Sequence, residues 1–487
     1  MQLSAILSEI NFLAVHGSTT VEITGISCDA RRVLPGDLYV ALQREFLDGQ
    51  ADIELAIERG AAAGVCRRLG NIRSRVTRIE VADTRLALAE ASAVFYGNAG
   101  QKLHVIAVAG GLSPWKTAHL TKQLLQAGGI KTGLISSLGH EVMGRNLPCT
   151  SAIEPSDIQK LFAAMVRAGC TACVLELPSI SPAALKGIPI NVMIFAGGEQ
   201  NLRALSVFLQ SRANTPVCGI VNADDETGRN VALSTIFKMQ LSFGFGERAE
   251  VRAADLALST TATRFNIELA GCAALCEMPL VGRENIHHLL GAAAASLSAL
   301  TAKQVLAAMA HVRTPPASLE AIPNEHGLAV FVDETRDAAR LPELIAGVKQ
   351  LQPRRILLAL GSPEGASGRD RFELGRAAGE YASHVILTTD NSGTEDLDSI
   401  CSAISQGLDQ ARHCTYHVQA DREQAIRELV SMAEPGDIAL ILGKGARAHQ
   451  IVGNTIVPFN DREVALECLQ SLIPTTVRSH VSALAVA

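Results

Sequence analysis

"VIAVAGGLSPWKTAHL", residues 105–120, has the frame of a phosphate-binding loop: an apolar run, a glycine pair, a polar turn and a helix-like stretch. Such a loop works through its backbone. Glycines let the chain curl so that successive N–H groups face an anion, a lysine reaches the outer phosphates, and a Ser or Thr hydroxyl holds Mg2+. Here Gly110 and Gly111 are followed by Leu112, Ser113, Pro114, Trp115, Lys116 and Thr117. The template G-x4-G-K-T finds Gly110, Lys116 and Thr117, but it sets Trp115 where the second glycine belongs. Pro114 also removes one donor from the cradle. Taken alone, the stretch reads more simply as a strand-turn-helix corner without ligand.

Working outward, the same rhythm recurs. After "LHVIAVAG" (103–110) come "KTGLISSLG", "DIQKLFAAMVRAGC", "ACVLEL", "INVMIFAGG" and "PVCGIVNADD", strand-like runs alternating with helical patterns. Beyond "VRTPPASLEAIP" (312–323) the alternation starts again with "LAVFVDE", "LPELIAGVKQL", "RRILLALGS", "HVILTTD" and "DIALILGKG". Continuous apolar strands separated by helices predict α/β folding with buried parallel sheets. The first hundred residues mix short strands and helices around the Pro35–Gly36 turn, and "ADIELAIERG" (51–60) predicts a helix ending at Gly60. The expected division is 1–102, 103–312 and 313–472, with a loose tail at 473–487.

Composition excludes several classes of function. The 487 residues carry a net charge of −6, so no basic field advertises nucleic acid. The densest basic stretch, "RRLGNIRSRVTR" (67–78), is short enough to be a solvated face. No run approaches the length of a membrane span, and the Ala-rich "LLGAAAASLSAL" (289–300) predicts a buried helix. The eleven cysteines lack a disulfide framework, which fits a reducing cytoplasm. Cys170 and Cys173 form a lone CxxC opening an apolar run, and packing is their expected role. His287 and His288 at a helix start are read as capping or packing residues rather than metal ligands.

Several spaced motifs, in order from about residue 20 to residue 470, make the chain resemble the Mur ligases, most of all the UDP-N-acetylmuramoyl-tripeptide synthetase branch. "DARRVLPGDLYVAL" (29–42) is similar to the family's DSR-x-V-x-PGDLFVA, with Ala30 replacing the serine. "FLDGQADIELAIERGAAAGV" resembles DGH-x-F-x-x-A-x-x-x-GA, "TTDNSGTED" resembles TxDNPRxE, and "LILGKGARAHQIV" resembles VAGKGHExYQ. The resemblance implies a three-domain Mur ligase architecture: an N-terminal α/β UDP-binding domain, a central P-loop-type parallel sheet and a C-terminal Rossmann-like domain. It implies substrate contacts at Asp29, Arg31, Asp48 and Gly49, and nucleotide-site positions at Gly110, Gly111, Asn222, Asn285 and Asp333. It also implies amino-acid-site positions at Asp390, Asn391, Gly443 and Lys444. Without the resemblance, Asp390–Asn391 and Asp48–Gly49 are equally good turn formers, and Lys444 is a lysine at a strand end.

The departures are as consistent as the matches. Against the family's GTNGKTT loop, the catalytic lysine falls on Pro114. "LELPSIS" (175–181) keeps Glu176 but not the histidine of EVSSH. "AGGEQNLRAL" (196–205) lacks the Asp-His pair of TNLxxDHLDxH, and "SVFLQSRA" (206–213) offers no lysine for a second metal. Ser318 in "PASLE" replaces a phosphate-binding arginine, "DETRDA" keeps Asp333 without the histidine, Gly393 replaces the arginine that grips the amino-acid carboxylate, and Arg447 stands where GKGHE ends in an acid. Acyl-phosphate chemistry depends on metal and cations around the transferring phosphoryl group. Losses at separate motifs therefore predict a Mur-ligase-like protein without ATP-dependent amide ligation, acting as a binding, scaffold or regulatory protein. Glu176, Lys116 and Thr117 are catalytic remnants on this reading, no resident metal is expected, and the partner is a UDP-linked muropeptide precursor or another protein. The alternative is an active amide ligase of unusual substrate choice, using ATP and Mg2+ with Lys116 and Thr117 in a shifted register.

Overall fold

The structure is a computed structural model that describes residues 1–44, 47–48, 51–68, 76–111, 113–147, 153–177, 185–197, 218–226, 228–230, 237–411, 413–453 and 455–472. The chain forms two compact units, 1–251 with 291–308, and 252–290 with 309–487. Three domains are expected from the sequence. The first expected domain and much of the second share one unit, because helix Thr84–Phe95 packs on helix Pro155–Arg167. Residues 252–290 group with 309–487 in the second unit. The tail from 473 lies outside the described residues.

Two sheets build the first unit. The N-terminal one runs Ala14–His16, Thr77–Glu80, Ala63–Cys66, Asp37–Val40, Gly25–Ser27. Its strands are parallel except for the antiparallel Ala14–His16 pairing. Leu38, Val40, Val65 and Ile79 meet Leu3, Ile6 and Leu88 in its core. Gly25–Ser27 ends this order and is therefore an edge strand. Gly60 has φ +100°, as the predicted end of helix Ile53–Glu58 requires.

In the second sheet, Thr132–Ser136, Ala172–Leu177, His104–Ala109, Val192–Phe195, Cys218–Asn222 and Met239–Gly244 lie parallel in that order. His104–Ala109 is flanked on both sides by strands that come later in the chain. That makes its C-terminal end a switch point, where loops diverge and ligands bind in such sheets. All six residues of Ala172–Leu177 are buried, which explains the unbroken apolar run. Helix Pro155–Arg167 starts with Pro155 at its first position, and Asp157 accepts the Glu154 N–H. Gly169, at φ +83°, follows its end. The helix buries Ile158, Leu161, Phe162 and Met165 against the sheet. Each such side chain contributes about 1.5–3 kcal/mol.

The second unit centres on six strands in the order Glu320–Ala321, Ala329–Asp333, Ile438–Leu442, Ile356–Leu360, His384–Leu387, Thr415–Val418. The last five are parallel. One face packs on Leu344, Ile345, Leu374 and Ile404, the other on Ile426, Leu429, Ala465 and Leu469. A hairpin of Thr263–Leu269 and Cys272–Met278 was not anticipated. Its signal is period two: Thr263, Phe265, Ile267 and Leu269 are buried while Arg264, Asn266 and Glu268 are exposed. Among the described residues, no helix is long and apolar enough to cross a membrane.

Candidate functional site

A cavity of about 590 Å³ opens along the edge strand Gly25–Ser27. Strand residues form one wall, and Glu154, Ser156, Asp157 and Lys160 at the start of helix Pro155–Arg167 form another. Phe95 and Tyr96 supply apolar surface, while Arg32 and Lys160 bring positive charge. An edge strand presents unpaired backbone donors and acceptors to whatever lies beside it. Asp29 lines the cavity and accepts the Arg31 N–H at 3.0 Å, which fixes the 3-10 turn Ala30–Arg32. Arg32 lines this wall and sits 3.7 Å from Asp29; Arg31 and Arg32 are both exposed. Asp48 ends a short strand Leu47–Asp48 paired with Gln43–Arg44. Its side chain and Gly49 lie outside the described residues.

The loop after His104–Ala109 has the backbone of a phosphate cradle but lacks two of its donors. Gly110 and Gly111 have φ of +77° and +75°, conformations that suit glycine. The Gly111 N–H, however, donates to the Gly197 carbonyl. Helix Pro114–Ala127 then opens with proline, so a second donor is missing at the helix N-terminus. Pro114, Trp115, Lys116 and Thr117 are all buried in its first turn. Lys116 Nζ lies 5.9 Å from the Trp115 ring centroid, and His119 stacks edge-on against the same ring. Burial pushes His119 down to about 4, so it is neutral at pH 7.

Glu176 stands in register with Val108 at the C-terminal edge of the sheet and is buried. Its carboxylate accepts from Ser136 Oγ at 2.8 Å, from the Ser137 N–H at 2.7 Å and from Ser137 Oγ at 3.0 Å. Asn222, at the end of its strand, donates to Ala196 O at 3.4 Å and accepts the Asp224 N–H. A Cβ added to Gly111 would come within 3.3 Å of Ala196, so the glycine pair, Ala196–Gly197 and Asn222 adjoin. Of the segment 196–205, only Ala196 and Gly197 are described, and 206–213 lies outside.

In the second unit, Asn285 and Asp333 are tied to one loop. Both Asn285 Nδ2 protons are used, on Val281 O and Ser318 O, each at 2.9 Å. Ser318 Oγ donates to Asn285 Oδ1. Asp333 accepts the Leu319 N–H on one oxygen and the Thr335 N–H and hydroxyl on the other. Ala317 and Leu319 on either side of Ser318 have φ of +56° and +48°, so these bonds hold a strained turn. His288 is buried and meets Glu284 one helical turn away, as a packing residue does.

Asp390, Asn391, Gly443 and Lys444 come together at the C-terminal edge of the same sheet. Asn391 Oδ1 accepts from Lys444 Nζ at 2.8 Å and from the Ile451 N–H. Lys444 Nζ also donates to His449 O at 2.7 Å. Burial pushes Lys444 down to about 8, and the Arg422 charge adds to that. Arg422 and Asp461 form a fully buried ion pair behind it, with Arg422 also donating to Thr389 O and Leu442 O. This pair carries no motif and was not anticipated. Cys170 and Cys173 are buried thiols, and burial raises both above the usual thiol range, as packing requires.

Residues 319–445 match the family of Mur ligase glutamate ligase domains. The solved structure of a UDP-N-acetylmuramoyl-L-alanyl-D-glutamate--2,6-diaminopimelate ligase matches 97% of this chain and 99% of its own, with a TM-score of 0.65 and 20% identity. A MurF ligase from Thermotoga maritima in complex with ADP matches 94% of this chain and 98% of its own, at TM-score 0.58 and 15% identity. The chain has the Mur ligase fold, and its residues 319–445 are similar to the Mur ligase glutamate ligase domain. Along nearly its whole length it is similar to UDP-N-acetylmuramoyl-L-alanyl-D-glutamate--2,6-diaminopimelate ligases. That of Solibacter usitatus (strain Ellin6076) is 29% identical over 489 residues, 96% of this chain and 98% of the relative. That of Geobacillus thermodenitrificans (strain NG80-2) is 28% identical over 485 residues, again 96% and 98%.

Proposed function

We propose that this protein binds a UDP-linked muropeptide precursor in the cavity beside Gly25–Ser27 and does not carry out ATP-driven amide ligation. The observation that carries the second half is the loop after Ala109. Its Gly111 N–H is bonded to Gly197 and its helix opens on Pro114, so two donors are missing where an anion would sit. Anion binding at a helix N-terminus rests on those donors. The amide of Asn285 is likewise fully engaged inside its own unit. These engaged groups are what supports a site that does not take ATP with Mg2+. The cavity, by contrast, offers Arg32 and Lys160 to a diphosphate among the carboxylates of Asp29, Asp37, Glu154 and Asp157, with an edge backbone for a base and two aromatic rings.

Calorimetry with Mg-ATP, followed by phosphate release with the UDP-linked dipeptide and a panel of amino acids, tests the reading. The expected result is no saturable ATP binding and no amino-acid-dependent phosphate, with UDP-sugar binding retained. Tight ATP binding and amino-acid-dependent phosphate release would establish the other reading, a ligase using Lys116 and Thr117 in the first helical turn. The burial of Glu176 at the strand edge beside that loop is what favours it.

A further inference from the structure

The six-stranded sheet of the second unit ends at strand Thr415–Val418, which pairs in parallel with His384–Leu387. His384 lies opposite Thr415, and His417 lies opposite Ile386, two residues further along on the same face. Helix Arg422–Met432 packs Ile426 and Leu429 into one core with Ile386, and it carries Glu428. His384 opens its strand, at the end opposite the loop that holds Asp390.

Two imidazole nitrogens face each other here: His384 Nε2 and His417 Nδ1 are 3.0 Å apart. The remaining nitrogen of each ring has its own partner. His417 Nε2 meets Glu428 Oε2 at 2.9 Å. An ionised carboxylate only accepts, so that nitrogen carries the proton. Gln419 Nε2 donates to the other Glu428 oxygen at 2.8 Å and holds it in place. His384 Nδ1 meets Thr415 Oγ1 at 2.7 Å. The Thr415 hydroxyl gives its own hydrogen to Ser383 O at 3.3 Å, so it accepts from the ring. A neutral imidazole has a single N–H. Both facing nitrogens therefore carry lone pairs, and two lone pairs at 3.0 Å repel unless a cation lies between them.

We propose that His384 Nε2 and His417 Nδ1 bind a divalent metal ion of the Zn2+ class, with Glu428 as the positioning residue behind His417. Metal-bound imidazoles donate their remote N–H to a carboxylate or another acceptor, which fixes ring and tautomer. Both rings do so here, to Glu428 and to Thr415. Metal–nitrogen distances of about 2.0–2.1 Å let one ion reach both nitrogens from beside the line that joins them. Neutral imidazole suits Zn2+, Cu2+ and Ni2+, whereas Mg2+ and Ca2+ take oxygen ligands. Among the described residues no group of three metal-ligating side chains forms, so solvent completes the coordination. The His417 side chain is 41% exposed and that of Glu428 39%, which leaves the pair open to water.

Calorimetric titration of the whole chain with Zn2+ and with Mg2+, alongside 15N NMR of its histidines, tests this. The expected result is saturable Zn2+ binding that shifts both histidines, and none of Mg2+. Affinity should fall about tenfold or more in His384→Ala and in His417→Ala. Before metal is added, His384 should be the Nδ1–H tautomer and His417 the Nε2–H tautomer. Glu428→Ala should lower affinity about tenfold and move His417 off that tautomer. His417 is on an edge strand and partly exposed, so its variant keeps the test open if His384→Ala disturbs folding. An Nε2–H tautomer at His384, Zn2+ affinity unchanged in His417→Ala, or histidine resonances unmoved by Zn2+ overturns the proposal.

Discussion

Ser318 Oγ donates to Asn285 Oδ1 at 2.5 Å, while Asn285 Nδ2 returns a bond to Ser318 O at 2.9 Å. Both residues are buried, and the pair closes the strained turn that Asp333 holds from the other side. Ser318→Ala leaves Asn285 Oδ1 buried without its donor. The expected loss is about 1–3 kcal/mol, the cost of an unsatisfied buried acceptor. Asn285→Ala should cost at least as much, and the double variant less than the sum. Urea midpoints of the three variants measure this, and additive losses would show that the two side chains act apart.

Arg422 and Asp461 illustrate a stronger dependence. Both side chains are 0% exposed and meet through two bonds of 2.7 Å. Burying two charges is repaid only when each finds the other, so removing one leaves the second stranded. Asp461→Asn is expected to lower stability by about 3–5 kcal/mol, read from the same denaturant transitions. Glu423→Gln, at the exposed pair with Arg427, should shift the midpoint by less than about 1 kcal/mol.

The parallel sheets were legible because buried strands between helices leave unbroken apolar runs. "ACVLEL" and "IALIL" are strands at Ala172–Leu177 and Ile438–Leu442. What could not be read was the use made of polar groups. Asn285 and Asp333 stand in motifs that suggest a nucleotide, yet their partners are Ser318, Leu319 and Thr335. Those partners depend on which backbone groups the turn exposes, and sequence spacing does not encode that. Arg32, and not Arg31, lines the cavity although both are exposed, because the 3-10 turn capped by Asp29 sends the two side chains in different directions. Glu364 lies in no motif, and only the fold brings it over Gly393.

Lys444 gives the chain a pH dependence of known sign. Its ordinary value is 10.5, and burial, with Arg422 nearby, brings it to about 8. A group held below its unfolded value binds its proton more weakly in the native state. It therefore imposes a penalty below about pH 8 that lifts as pH rises toward 10.5. The stability difference between wild type and Lys444→Met should shift in favour of wild type across that window. Lysine 13C NMR should show a resonance titrating near pH 8 that disappears in the variant. A flat stability difference, or no such resonance, contradicts the assignment.

The cavity beside Gly25–Ser27 separates two adjacent arginines. Arg32 and Lys160 line it; Arg31, exposed as they are, does not, and its N–H holds Asp29. A UDP diphosphate seated there would be drawn to Arg32 and Lys160 through charge-assisted hydrogen bonds. Arg32→Ala and Lys160→Ala are therefore expected to weaken UDP-sugar binding about tenfold each, roughly 1.4 kcal/mol. Arg31→Ala keeps its backbone N–H on Asp29 and should change affinity by less than about twofold. Calorimetric titration with a UDP-sugar at fixed salt compares the three. If Arg31→Ala abolishes binding while Arg32→Ala leaves it intact, the ligand lies outside this cavity.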